Sequence, residues 1–235
     1  VYKLQRGGFY HLNAPVENPD FKLTIVGEKG DPEQGVGAGN PPVIQLANRG
    51  ETAPSALFTA ASSVTLKNVW LVGSDDQGTQ SYYTPADITG SQQRYVFDNV
   101  IFERTNFSIP EFTGGGNTII VRNSTFRNHV AVPTVQQWEG RGLIIGANQD
   151  SVIIENNTFF NIGMSSIQQE GSTANFFLFN HNTIVNQGRN FIAQNKKEHF
   201  FANNLILNGF WHGEGVSDLT ESGRPQGQYA SGMFG

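Results

Sequence analysis

Glu139, Arg141, Glu170, Arg189 and Glu214, with His129 and His212 beside them in the chain, are the residues whose types could do acid–base work at one spot. Two carboxyl groups brought to within about 5–9 Å of each other can serve as an acid–base pair. Tyr82, Tyr83, Trp138 and Trp211 stand in loop-like stretches and are the aromatic side chains that could stack on sugar rings. Asp75-Asp76, inside Gly73-Ser74-Asp75-Asp76-Gln77-Gly78, has the outline of a calcium loop but lacks the spaced third and fourth carboxylates that a hard cation needs. The simpler readings stand beside these: solvated polar side chains, a solvated turn, and aromatics that cover a flank. The acidic and basic candidates are too far apart in sequence to meet unless the chain returns repeatedly to the same place.

Composition narrows which folds could do that. The 235 residues include 23 Asn, 27 Gly and 18 Phe against only 15 Lys+Arg and two Met, so helix formers are scarce and turn formers abundant. A net charge of −5, with Lys196-Lys197 the one adjacent basic pair beyond isolated residues, lacks the electrostatic footprint of a nucleic-acid or anionic-membrane binder. No window approaches the ~20 apolar residues of a membrane span. The absence of Cys excludes disulfides, thiolate metal sites and Cys nucleophiles. Val1-Tyr2-Lys3-Leu4 already reads as a strand, which leads us to expect a processed end or a cut through a longer protein.

The return is written as a repeat. Six segments superpose with a central residue at Asn68, Asn99, Asn123, Asn156, His181 and Asn203, recurring after 31, 24, 33, 25 and 22 residues, the differences between those numbers. Two positions before the centre stand Leu66, Phe97, Val121, Ile154, Phe179 and Phe201; three positions after it stand Leu71, Phe102, Phe126, Phe159, Ile184 and Ile206. A second polar column follows at Asn128, Asn161, Asn186 and Asn208. Flanking residues alternate apolar and polar, which is strand periodicity. Asn tolerates the left-handed backbone region and carries both donor and acceptor, so it can turn the same corner on every lap and bond to the amide one layer away. The central column is therefore expected to be a buried structural ladder, with His181 substituting within it.

Gly142-Leu143-Ile144-Ile145, Ser165-Ser166-Ile167-Gln168-Gln169 and Asn190-Phe191-Ile192-Ala193-Gln194 supply a third strand per lap. Upstream, Leu23-Thr24-Ile25-Val26-Gly27 holds the same register, with Gly27 expected at the corner as the other residue that accepts positive φ, and Pro42-Val43-Ile44-Gln45 and Ala56-Leu57-Phe58 close that lap. Gly- and Pro-rich stretches at 27–42, 73–92 and 104–117 are expected outside the coil as loops. The predicted fold is all-β: a right-handed parallel β-helix, about three strands per lap, spanning 1–235 as one unit of a longer chain or assembly.

The pattern apolar-x-apolar-x-Asn-Asn-Thr-apolar, followed by a short apolar strand, resembles the right-handed parallel β-helix repeat of the pectate-lyase-like superfamily, and most of all its large secreted bacterial members, over residues 20–210. The resemblance implies a secreted or cell-surface protein whose partner is a polysaccharide. It also implies, for lyases, a basic residue with Ca²⁺ or Arg at a uronate, and for hydrolases, paired carboxylates on one face. No motif of either matches here residue by residue. Two functions stay open: a non-catalytic extracellular scaffold, structural or fibre-forming and in contact with glycan, and a polysaccharide lyase or glycoside hydrolase.

Three further readings complete the sequence. Asn106-Phe107-Ser108, Asn123-Ser124-Thr125 and Asn156-Asn157-Thr158 match the N-glycosylation pattern, but only Asn106 is expected to be accessible, the other two lying in the inward ladder. Thr125, Thr158 and Thr183 form a short column that continues as Trp70, Ile101 and Leu205, an outer-face or packing arrangement rather than an extended array. Neither terminal stretch carries a capping helix, so the coil is expected to continue or to stack end to end on another copy.

Overall fold

In the computed structural model the described residues are 1–30, 39–48, 56–77, 86–105, 108–129, 140–188 and 192–209, without the side chains of Glu170 and of 192–197. They form a right-handed parallel β-helix with no α-helix among them. The first face carries β1 (Tyr2–Leu4), β4 (Leu23–Gly27), β7 (Val64–Lys67), β10 (Arg94–Asp98), β13 (Thr118–Arg122), β16 (Gln149–Glu155) and the later parts of β18 (Ile167–Asn180) and β20 (Ile192–Ala202). The second face carries β2 (Phe9–Leu12), β5 (Val43–Leu46), β8 (Trp70–Asp75), β11 (Ile101–Glu103), β14 (Thr125–His129), β17 (Thr158–Ile162), β19 (Thr183–Gln187) and β21 (Leu205–Gly209). The third carries β3 (Val16–Asn18), β6 (Phe58–Ala60), β9 (Ala86–Ile88), β12 (Glu111–Phe112), β15 (Leu143–Ile145) and the starts of β18 and β20. Because β18 runs around a corner, the first and third faces join into one 13-stranded sheet beside the 8-stranded second face.

The sequence register is the structural register. Phe97 pairs with Leu66 and Val121, and Phe126 with Phe102 and Phe159, each in parallel ladders. Inside the coil, Phe102, Phe126 and Phe159 stack with ring centroids 4.5 and 4.7 Å apart, and Phe97 meets Phe102 edge-on at 5.6 Å. All four rings are buried, so the apolar columns form a continuous core along the axis.

The corner works differently from the expectation. Asn68, Asn99, Asn123, Asn156, His181 and Asn203 all adopt φ between 52° and 56°, as a left-handed corner requires. Yet Asn99, Asn123, Asn156, His181 and Asn203 are exposed and Asn68 half-buried. A left-handed residue points its own side chain outward and turns its neighbours' backbone groups inward, so this column ladders on the outside: Asn99 Nδ2 donates to Asn68 Oδ1 at 2.9 Å and Asn156 Nδ2 to Asn123 Oδ1 at 2.8 Å. Asn203 reaches past His181 to Asn180 Oδ1 at 3.2 Å. The second polar column forms a matching outer ladder, Asn208 to Asn186 to Asn161 to Asn128, with bonds of 2.9, 3.0 and 3.2 Å. Asn123 and Asn156 are therefore not shielded, contrary to the reading of their glycosylation patterns, and Asn106 lies outside the described residues.

The inward ladder is one residue later. Asn157 Oδ1 accepts from Ser124 N at 2.9 Å and its Nδ2 donates to Val121 O at 3.0 Å; Asn182 and Asn204 repeat this toward Asn157 N and Ile154 O, and toward Asn182 N and Phe179 O. These amides bind the backbone groups that the corner leaves facing the core. In earlier laps the same position holds Ser124, whose Oγ accepts from Val100 N at 3.1 Å, and then the apolar Val100 and Val69.

Two further expectations change. Gly27 is absent from the positive-φ residues; what it needs is space, because a Cβ there would lie 1.9 Å from Asn68 O. Residues 73–92 and 104–117 contain β9 and β12, with Ala86, Ile88, Ile109 and Phe112 buried, so both laps keep a third strand inside the coil. A strand of two or three residues has no periodicity to read. Of 27–42, residues 31–38 lie outside the described residues.

Asn157→Ala should cost more than about 2 kcal/mol, since it strands a buried donor and a buried acceptor, whereas Asn156→Ala should cost about 1 kcal/mol for the left-handed backbone alone. Urea unfolding of both variants checks this; equal losses would contradict the assignment of inner and outer columns. Phe126→Ala, which opens the middle of the Phe stack, should cost about 3–5 kcal/mol in the same measurement.

Candidate functional site

A parallel coil sets residues of one column about 4.8 Å apart, lap after lap, so any site on it is a row rather than a cluster in sequence. On the third face the outward column runs Glu17, Thr59, Asp87, Glu111, Ile144, Gln168. Its flanking positions, Phe58, Ala60, Ala86, Ile88 and Phe112, point into the core and fix the outward direction of the residues between them. Asp87 and Glu111 are thus direct neighbours across β9 and β12, both half-buried. Desolvation by burial holds the Asp87 carboxyl above its usual 3.8. Ile144, next in the column, is fully buried, so this face is covered at that lap, and Gln168 after it is half-buried again.

Two neighbouring carboxyls, one of them raised, form the arrangement in which one group can carry a proton while the other stays ionised. The strand spacing allows the closer of the two carboxylate separations used in glycoside hydrolysis. Sequence reasoning missed this pair because β9 and β12 were hidden in stretches read as loops; the signal that could have found it is Ala86-Asp87-Ile88 and Glu111-Phe112, short apolar-acid patterns at the third-strand position.

The candidates named from sequence fare unevenly. Arg141 is described and buried, its Nε donating to Met164 Sδ at 3.3 Å, so it packs inside and does not stand on an open outer face. His129 is likewise buried at the end of β14, with Nδ1 2.8 Å from Arg141 O and Nε2 3.1 Å from Phe102 O. Burial, opposed by those two carbonyls and by Glu103, lowers its pKa, which keeps the ring neutral. Glu170 belongs to β18, and its side chain is not among those described. Glu139, Arg189, Glu214 and His212, with Tyr82, Tyr83, Trp138 and Trp211, lie outside the described residues.

Asp75 is buried, its Oδ2 accepting from Asn48 Nδ2 at 2.7 Å, while Asp76 Oδ1 accepts from Asn48 N at 2.6 Å and Oδ2 lies 3.8 Å from His11 Nδ1. The two carboxylates tie β8 to the preceding lap. Among the described residues no three His, Cys, Asp or Glu side chains converge. On the second face Thr125, Thr158 and Thr183 do form an outward column, with the Arg127 guanidinium 4.8 Å from the Trp70 ring centre and 2.8 Å from Glu103 Oε2 nearby.

No family model, curated protein or solved structure matches the chain. No helix among the described residues is long and apolar enough to cross a membrane.

Asp87 gives the face a pH signature. Its folded pKa is above the unfolded value, so the stability it contributes is present at acid pH and is lost as pH rises from 3.8 through the folded pKa, because the unfolded chain releases the proton first. Asp87→Asn should remove that part of the decline, seen as a smaller drop in urea midpoint between acid and neutral pH. Superimposable profiles would mean that Asp87 is not desolvated.

Proposed function

We propose that this protein is an extracellular β-helix scaffold that presents its third face to a polysaccharide. The observation that carries the reading is the pair of outer amide ladders flanking an apolar core with its Phe102–Phe126–Phe159 stack: they tie neighbouring laps together and make the coil a stiff rod whose outward columns repeat at a fixed spacing. The repeat's resemblance to secreted pectate-lyase-like proteins supports the extracellular setting. End-to-end assembly belongs to the same reading.

A second reading, hydrolysis of that polysaccharide, is favoured by one specific observation, the Asp87–Glu111 pair with its raised carboxyl. Asp87 would then hold the proton delivered to the leaving oxygen and Glu111 would act as the carboxylate partner.

A panel of neutral and uronate polysaccharides separates the two. The scaffold reading expects retention on at least one insoluble glycan, with neither new reducing ends nor new double bonds. Turnover that disappears in Asp87→Asn and Glu111→Gln, both still folded, would replace it with the hydrolase. Neither binding nor turnover would sink both.

A further inference from the structure

The first face carries a feature that neither reading uses. Its middle outward column starts with Thr24 and Thr65 and continues as Val96, Ile120, Ile153, Leu178 and Phe200, one per lap in parallel register. Phe200 is exposed and the other four apolar residues are half-buried, and Phe176, one column over, lies 5.7 Å from the Phe200 ring. Part of this is ordinary sheet preference, since β-branched residues suit a pleated surface. Leu178, Phe176 and Phe200 are not β-branched, however, and the five laps after Thr65 carry no polar residue in this column, whereas Thr125, Thr158 and Thr183 and then Asp87 and Glu111 stand in the middle of the outward columns of the other two faces. A contiguous outward apolar stripe marks an interaction surface.

The flanking column identifies the partner. Beside the stripe run Lys67, Asp98, Arg122, Glu155, Asn180 and Ala202. A two-fold axis along the strands, midway between the Ile120 and Ile153 laps, lays a second copy face to face with the coil direction reversed and every column opposite itself. Ile120 then faces Ile153, Val96 faces Leu178, and Arg122 faces Glu155 twice, once from each side. In the next column Arg94 comes opposite Phe176, a cation over a ring. The other in-plane two-fold, along the coil, would instead set Arg94 against Asp98. It would leave Arg122 opposite Thr118 and Glu155 opposite Ser151, whereas the axis along the strands lets Arg122, whose Nη2 donates to Asp98 Oδ2 at 2.9 Å within its own copy, offer its remaining N–H groups to Glu155 of the other.

We propose that the protein forms an isologous dimer through the Val96–Phe200 stripe of its first face, with Arg122 and Glu155 paired reciprocally across the two-fold. Six strands about 4.8 Å apart and five residues wide outline roughly 500 Å² per copy, which is at the small end of specific interfaces and fits a micromolar, reversible association. The proposal does not depend on what the third face binds, and a closed lateral dimer differs from an end-to-end stack, which would keep growing.

Sedimentation velocity of the full chain across the micromolar range is the test. The expected result is a monomer–dimer equilibrium that weakens with salt. Ile120→Glu should raise the dissociation constant at least about tenfold, because it buries a charge in the stripe. Arg122→Glu or Glu155→Arg alone should do the same, and the double exchange should restore association. Ile120→Thr, which keeps a β-branched residue, serves where Ile120→Glu does not fold by circular dichroism. A monomer at every concentration, or a dimer indifferent to Ile120→Glu and Ile120→Thr, overturns the interface. A dimer broken by Ile120→Glu but not rescued by the double exchange overturns the two-fold. Open-ended growth unaffected by either variant points to the coil ends instead.

Discussion

A chain that coils without helices must turn the same corners on every lap, and at each corner it has to leave the strand without abandoning its backbone hydrogen bonds. That requirement organises the molecule. One residue enters the left-handed region, which Asn does at low steric cost, and the turn directs the N–H of the following residue and the carbonyl two residues earlier toward the core. Water cannot reach them there. Asn157, Asn182 and Asn204 answer with amides that accept the N–H and donate to the carbonyl of the corner one layer before, so the corners at Asn123, Asn156 and His181 are each closed by the next lap. From the Asn156 lap onward the corner thus uses two consecutive side chains, an outer one in the left-handed region and an inner Asn that bonds to the corner of the preceding lap, while Val69 and Val100 fill the inner position in earlier laps.

The Phe stack is possible because of this closure. With inward polar groups satisfied at the corner, the positions on either side can be wholly apolar, and identical rings at identical register stack at 4.5 and 4.7 Å. The third corner uses different chemistry for the same end: buried Asn117 and Gln149 bond to the carbonyls of Gly90 and Gly114, where a Cβ on Gly114 would lie 2.1 Å from Gly90 O. Glycine supplies the room and the amides supply the partners. His129 is absorbed into the interior in the same way, its ring set between the carbonyls of Phe102 in β11 and of Arg141 ahead of β15.

Since folding is secured from within and at the corners, the three outer faces are released from packing and can differ. The third carries an acid pair beside a covered Ile144, the second a threonine column next to a Trp70–Arg127–Glu103 group, and the first an apolar stripe edged with alternating charges. What each face can bind follows from its column, because the lap spacing turns any one substitution into one step of an array.

The apolar columns, the strand register and the corner positions were legible in the sequence because a coil imposes the same environment at the same phase of every lap, and a recurring environment leaves a recurring residue. Which of two adjacent Asn faces the core was not legible. In Asn156-Asn157 both are compatible with a corner, and only the sign of φ at Asn156 sends its side chain out and that of Asn157 in. The third strands in residues 73–92 and 104–117 were missed because β9 and β12 are too short to show a period, and the pairing of Asp87 with Glu111 was hidden with them. Arg141 and His129 carried the residue types of a surface site, yet lie inside, where Met164 supplies a sulfur and Arg141 and Phe102 supply two carbonyls. The repeat therefore determined the coil, while the side that each polar residue occupies was decided by backbone handedness and by partners one lap away, neither of which is a property of the local sequence.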